Sequence, residues 1–201
     1  MPIETSPAPL RLAVIVGSTR ENRFAPTVAD WFTARAEQHD GFDLDVLDLA
    51  ELALPASLLA NPVVDGEWVS PALGELTERI DAADVFVVIT PEYNHGYPAS
   101  LKHAIDSVGQ QWRAKALGFV SYGGVSGGLR SVEQLRQVFA ELHVVTVRDS
   151  VSIAGAWRQF DADGAPVNPE QLNAAAKVML DQLVWWGRTL REGRAARPYR
   201  G

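Results

Sequence analysis

Two short segments of this chain combine residue types that bind anions and planar rings, and each stands between an apolar run and a helix-like stretch. The first, Gly17-Ser18-Thr19-Arg20-Glu21-Asn22-Arg23-Phe24-Ala25, follows Leu12-Ala13-Val14-Ile15-Val16; the second, Thr90-Pro91-Glu92-Tyr93-Asn94-His95-Gly96-Tyr97-Pro98, follows Val85-Phe86-Val87-Val88-Ile89. Backbone N–H groups at a helix start attract anions. The Ser18 and Thr19 hydroxyls can donate to phosphate oxygens, and Arg20 or Arg23 can add a charge-assisted pair. The first segment lacks the spaced glycines of a dinucleotide fingerprint and the Gly-Lys-Ser/Thr of a triphosphatase loop, so it points to a terminal monophosphate. The same residues could also do no more than cap the helix that follows. In the second segment, Pro91, Glu92, Tyr93 and Asn94 bring together rigidity, an acid, an aromatic ring and an amide. Such a segment can present backbone donors and acceptors to the edge of a planar polar ring. A third segment, Ser121-Tyr122-Gly123-Gly124-Val125-Ser126-Gly127-Gly128, carries four glycines, which let backbone approach a flat ligand closely.

These loops can act together only if the elements between them bring them to one side of the molecule. Apolar periodicity alternates along the chain between strand and helix spacing, which predicts an α/β layer architecture. Leu12–Val16 is a first strand, and Val28, Trp31 and Phe32 mark the buried face of the helix after it. Phe42 to Val46 alternates with period two, as a half-exposed edge strand does. Residues 52–69 are irregular. Ser70-Pro71 is an N-cap with proline at the first helical position, and Leu73, Leu76 and Ile80 form the buried stripe behind it.

Val85–Ile89 is continuously apolar and should be a central strand. Pro98 opens a helix with Leu101, Ala104, Ile105 and Val108 inward. Ala116–Val120 is a fourth strand, its helix carrying Leu129, Val132, Leu135 and Phe139 inward, and Val144–Val147 is a fifth. Asn168-Pro169-Glu170 starts a last helix with Leu172, Ala175, Ala176, Met179, Leu183 and Trp186 at helical spacing. Together these predict a flavodoxin-like three-layer sandwich with a five-stranded parallel sheet of order 2-1-3-4-5. All three loops then lie at the carboxyl ends of the strands, where such sheets bind ligands. Residues 11–193 make up this domain, with a disordered tail at 1–10 and a C-terminal tail at 194–201.

Composition narrows the chemistry. The 201 residues are 47% hydrophobic and 21% charged, as in an ordinary soluble globular protein. A net charge of −7 disfavours a nucleic-acid surface, and Arg188, Arg191, Arg194, Arg197 and Arg200 suit a helix C-terminus. There is no cysteine, which excludes disulfides, thiolate nucleophiles and iron–sulfur clusters, so any redox activity must come from a bound cofactor. The start of the chain has neither a basic stretch nor an apolar core, and no run approaches a membrane span; a cytoplasmic protein is expected. Asp161-Ala162-Asp163-Gly164 places its glycine too early for a calcium loop and Leu172 where glutamate would be needed, so it reads as a turn.

The segment Thr90-Pro91-Glu92-Tyr93-Asn94, followed by Pro98 and Leu101-Lys102-His103-Ala104-Ile105-Asp106, resembles the signature of the NADPH-dependent FMN reductase family, which includes quinone, azo-dye and chromate reductases. Gly17-Ser18-Thr19-Arg20 and Ser121 to Gly128 with Arg130 match its other two motifs in order. The resemblance spans roughly Leu12 to Leu190. It implies a homo-oligomer, dimer or tetramer, holding FMN at the strand ends. Ser18, Arg20 and Arg23, with backbone around Phe24 and Ala25, would hold the FMN phosphate. Pro91, Glu92, Tyr93 and Asn94, with His95 beside them, would line one edge of the ring system, and Ser121, Tyr122, Gly123 and Gly124 the other. NADPH or NADH would be the donor, and a quinone, azo compound, free flavin or metal oxyanion the small acceptor.

No catalytic side-chain acid or base and no metal is implied, because the flavin carries the chemistry. His95 could touch an acceptor or tune the flavin, or simply hydrogen-bond backbone; Trp157 could reach a partner's flavin or merely pack. Where many relatives have Ser and Asn, this chain has Arg23 and Ala25, so a second guanidinium could replace a hydroxyl and an amide. Ala116 stands where relatives often have Pro. The alternative function is an electron-transfer or redox-sensing flavoprotein acting on a protein partner.

Overall fold

The computed structural model describes residues 8–200. In chain order its elements are β1 (Leu10–Val16), α1 (Ala25–Glu37), β2 (Phe42–Asp48), β3 (Val63–Val64), β4 (Glu67–Trp68), α2 (Pro71–Ala82), β5 (Val85–Pro91), α3 (Ala99–Asp106), β6 (Ala116–Gly123), α4 (Leu129–Glu141), β7 (Val145–Thr146), β8 (Val151–Ala154) and α5 (Pro169–Ala196). The main sheet runs β2-β1-β5-β6-β7, with β8 also on β6, and every pair in it is parallel. Setting aside the small β3–β4 hairpin, this is the expected 2-1-3-4-5 order. Most of the expected N-terminal tail lies outside the described residues, and α5 continues through residues 194–196.

The alternation of side chains along each strand builds two cores, one per face. Leu12, Val14, Val16, Val85, Val87 and Ile89 pack with α1 and α5, whereas Ala13, Ile15, Phe86, Val88, Leu117 and Phe119 pack with α2, α3 and α4. All residues of β5 are buried, as a central parallel strand requires. Trp112 anchors the second core: its ring meets Phe86 edge-on at 4.9 Å and Phe139 at 5.5 Å. The buried Lys115 amine donates to the carbonyls of Ile80 (2.7 Å) and Asp81 (2.8 Å), closing the C-terminal end of α2; burial pushes its pKa down to about 8.

Three local expectations change. The irregular stretch contains the β3–β4 hairpin, whose turn residues Asp65 and Gly66 both have positive φ, the geometry of a two-residue I′ turn. The fifth strand is broken: Thr146 faces Leu117 and Val151 faces Val120, so Val147-Arg148-Asp149-Ser150 spans the length of Gly118-Phe119. Leu129, expected to point inward, is exposed, and Ser131 takes the buried place in the first turn of α4. Ser70 caps α2 as expected, accepting from the Leu73 amide.

Helix α5 lies close on the sheet because it carries Gly187, where a Cβ would fall 2.5 Å from Val85 Cγ1 and 2.6 Å from Leu10 Cδ1. Val85 is stiff and fully buried, so it cannot yield. Gly187→Ala should therefore destabilise the protein by about 1–2 kcal/mol in urea unfolding, overpacking outweighing the roughly 1 kcal/mol gained in helix propensity. A stabilised variant would show that α5 can move off the sheet at low cost.

Candidate functional site

The loops after β1, β5 and β6 meet over the carboxyl ends of their strands. They enclose a cavity of about 480 Å³, closed on one side by Ala156 and Trp157 after β8. Its size is that of a small-molecule site. Of the residues expected there, Arg20, Arg23, Phe24, Pro91, Glu92, Tyr93, Tyr122, Gly123 and Gly124 line it. Ser18, Ala25, Asn94, His95 and Ser121 do not, each for a local reason.

The first loop leaves β1 at Gly17, whose amide donates to Ile89 at 2.9 Å. The Ser18 side chain then turns inward, its hydroxyl 2.7 Å from the Tyr93 hydroxyl, and Ala25 is fully buried in the first turn of α1. Arg20 is exposed, its guanidinium 5.7 Å from the centre of the Tyr93 ring, with no carboxylate in ion-pair range among the described residues. Arg23 differs: Nη1 and Nη2 donate to the two oxygens of Asp48 at 2.5 and 2.6 Å, and Nη1 also to the Ser18 carbonyl at 2.6 Å. The bond to Asp48 is the main reason its pKa is raised. The backbone N–H groups of Thr19, Arg20, Glu21 and Asn22 donate to no other described residue, so the loop carries open donors beside Arg20.

In the second loop, the amide and carbonyl of Tyr93 pair with those of Gly96 at 2.8 and 3.1 Å. Asn94 and His95 between them have φ of 49° and 76°. This tight reverse turn lifts both side chains to the surface. The His95 ring makes no hydrogen bond among the described residues; its carbonyl accepts from Gln134 Nε2 at 2.9 Å. Glu92 points the other way. Its carboxylate accepts from Ser126 Oγ (2.6 Å), the Arg130 amide (3.1 Å) and Arg130 Nη1 (2.8 Å), tying the second loop to the third and to the start of α4. Burial pushes this carboxyl up, but the bonds from Ser126 and Arg130 together outweigh it and hold the pKa below the ordinary value.

The third loop owes its shape to Gly127 and Gly128, at φ of 60° and 86°; a Cβ on Gly128 would lie 2.6 Å from that of Ser121. Ser121 is thereby sealed inside, donating to the Gly127 carbonyl at 2.8 Å. Gly123 and Gly124 form the cavity wall, and a Cβ on Gly124 would stand 3.9 Å from the Trp157 ring. Tyr122 is buried against Phe24, the rings 6.2 Å apart, and burial pushes its phenol well up. Its hydroxyl is buried beside Ser18, whose proximity partly offsets that upward push.

Asp48, which fixes Arg23, carries no signal in the sequence beyond ending a strand of alternating aspartates. Asp161 proves to be a turn, its carboxylate accepting from the amides of Asp163 and Ala165. Among the described residues there is no cluster of His, Asp and Glu able to hold a metal, and no helix is long and apolar enough to cross a membrane.

Comparison with known proteins bears on the family and the fold. The profile described as NADPH-dependent FMN reductase matches residues 10–158. An NAD(P)H-dependent FMN reductase of Schizosaccharomyces pombe is 34% identical over 149 residues, covering 71% of this chain and 73% of that protein. A probable NADPH:quinone oxidoreductase of Oryza sativa is 32% identical over 180 residues, covering 83% of each. Among solved structures, the NAD(P)H:(acceptor) oxidoreductase FerB of Paracoccus denitrificans superposes with a TM-score of 0.69 at 22% identity, over 90% of this chain and 98% of that one; this likeness speaks for a shared fold.

The Glu92 bonds give the site a definite acid response. A carboxyl whose folded pKa lies below its unfolded value of about 4.3 stabilises fully above that value, and loses the contribution as pH falls through the folded one. Urea unfolding should show the wild type losing more stability than Glu92→Gln on acidification through about pH 4. At neutral pH the variant should be weaker by about 1–2 kcal/mol, a modest figure because Arg130 stays half exposed. Parallel pH curves for the two proteins would remove the carboxylate from this role.

Proposed function

The chain belongs to the NADPH-dependent FMN reductase family, and from that premise we propose that it is an FMN-holding oxidoreductase. It takes reducing equivalents from NADPH or NADH and passes them to a small acceptor such as a quinone, an azo compound, free flavin or a metal oxyanion. The observation that carries this is the cavity over β1, β5 and β6, where open backbone donors and the unpaired cation Arg20 face a slot walled by glycine and tryptophan. These groups fit a planar ring bearing a chain that ends in phosphate. Bound FMN would supply a ring able to accept hydride and release electrons singly or in pairs.

The chain's own residues then bind and shape. Arg20 and the N–H groups of Thr19 to Asn22 hold the phosphate electrostatically, with Arg23 beside them and Ser18 supporting the loop from within. Pro91, Glu92 and Tyr93 make one wall and Tyr122, Gly123 and Gly124 the other; Phe24 closes the floor, while Ala25 and Ser121 act through backbone packing. Glu92, hydrogen-bonded and ionised at neutral pH, is unsuited to donating a proton. Asn94 and His95 shape the rim through their turn, and no side-chain acid or base is required.

Relatives bear names that refer to quinones and azo substrates, which favours a small acceptor over a protein partner. We place it in the cytoplasm as a homo-oligomer, dimer or tetramer; Trp157, standing 63% exposed on the cavity wall, favours the assembly. One flavin-binding domain over residues 11–193 completes the proposal.

The purified protein with FMN should show a bound-flavin visible spectrum that bleaches anaerobically on addition of NADPH or NADH. A protein that binds no FMN, or bound flavin that neither donor reduces, would overturn the assignment. Arg20→Ala should weaken FMN binding by about 1.5–3 kcal/mol, roughly ten- to a hundredfold in Kd, read by flavin fluorescence titration; unchanged affinity would take Arg20 out of the phosphate site.

A further inference from the structure

We propose that Asp48 is a positioning residue for the cofactor phosphate: it orients Arg23 so that one free edge of the guanidinium faces the cavity, and so lets the protein distinguish FMN from riboflavin. The inference rests on the proposed FMN site. Asp48 is the last residue of β2 and is paired in register with Val16, the last residue of β1, so its carboxylate stands directly beside the loop that starts at Gly17. It is largely buried, and its Oδ1 also accepts from the Ala50 amide at 3.0 Å. That bond fixes the carboxylate from its own strand end.

An arginine carries five N–H donors. In Arg23 the terminal pair, Nη1 and Nη2, grips Asp48, and the other hydrogen of Nη1 goes to the Ser18 carbonyl. The Nε–H and the outer Nη2–H remain. They lie side by side on one edge of the planar group, have no acceptor among the described residues, and belong to a residue that lines the cavity. Such an edge matches two oxygens of a phosphate.

Charge and geometry make opposite predictions here. Asp48 neutralises Arg23, so on charge alone its removal would leave a more cationic site and tighten phosphate binding. If Asp48 acts by aiming the guanidinium, its removal frees Arg23 to swing and weakens phosphate binding. Riboflavin, with the same ring and no phosphate, should be indifferent to the change.

The test is titration of the full-length chain, freed of flavin, with FMN and with riboflavin, followed by flavin fluorescence. Asp48→Asn should lose FMN affinity about tenfold and keep riboflavin affinity within about twofold. Combined with Arg23→Ala it should add nothing to the loss that Arg23→Ala causes alone. Equal or tighter FMN binding by Asp48→Asn, an equal loss for both flavins, or an undiminished loss in the Arg23→Ala background would each overturn the proposal. Arg23→Lys keeps the charge without the two-pronged edge and gives a second route should Asp48→Asn fold poorly. It too should lose FMN selectively, and an unchanged FMN-to-riboflavin ratio would overturn the proposal. A wild-type chain that binds neither flavin would instead remove the FMN assignment on which this depends.

Discussion

The rest of the molecule hangs on β5, the strand whose every residue is buried. Being covered on both faces, it must be apolar throughout and flanked by parallel neighbours, and right-handed crossovers then carry every return helix over one face or the other. The outcome is that the loops after β1, β5 and β6 emerge side by side. The Ile89 carbonyl receives the Gly17 amide, so the phosphate-side loop is pinned to the central strand itself. The Pro91 carbonyl accepts from Ser131 of α4 at 3.0 Å, so the third loop and its helix are pinned to the same strand. A site whose walls share one rigid support can hold a large flat ligand without ordering loops at the moment of binding.

Much of this is legible in the sequence because it depends on local pattern. Five strands, their order and the three loops follow from apolar periodicity and from the residues that break it. Where the pattern is short or two-sided it misleads. The Asp65-Gly66 turn joins strands of only two residues each, too short to register as periodicity, the fifth strand changes register within four residues, and Leu129 sits in a first turn where the inward direction is not yet set.

Within the site, residue type was legible but side-chain direction was not. Ser18 and Ser121 have the chemistry of ligand donors, yet both turn inward, because a buried hydroxyl must find a partner within the fold. Asn94 and His95 sit in the right loop but at a turn that carries them to the surface. Asp48 was invisible because its bond to Arg23 joins the end of one strand to a loop 25 residues earlier in the chain, and no local spacing encodes that meeting. Arg23 becomes intelligible only with Asp48 in view: its largely buried guanidinium is paired with a carboxylate behind it.

The borders of the sheet carry a further consequence. One border, β2, presents Asp43 and Asp45 along its length, with Arg79 paired to Asp45 across it; the other is interrupted at Arg148-Asp149-Ser150, so that β7 and β8 are two short ladders at different registers. Open sheet edges invite another chain to add a strand, and charge or irregularity at the edge discourages it. A sheet guarded at both ends is a poor template for another strand. Edge-to-edge pairing in a crowded solution is disfavoured accordingly.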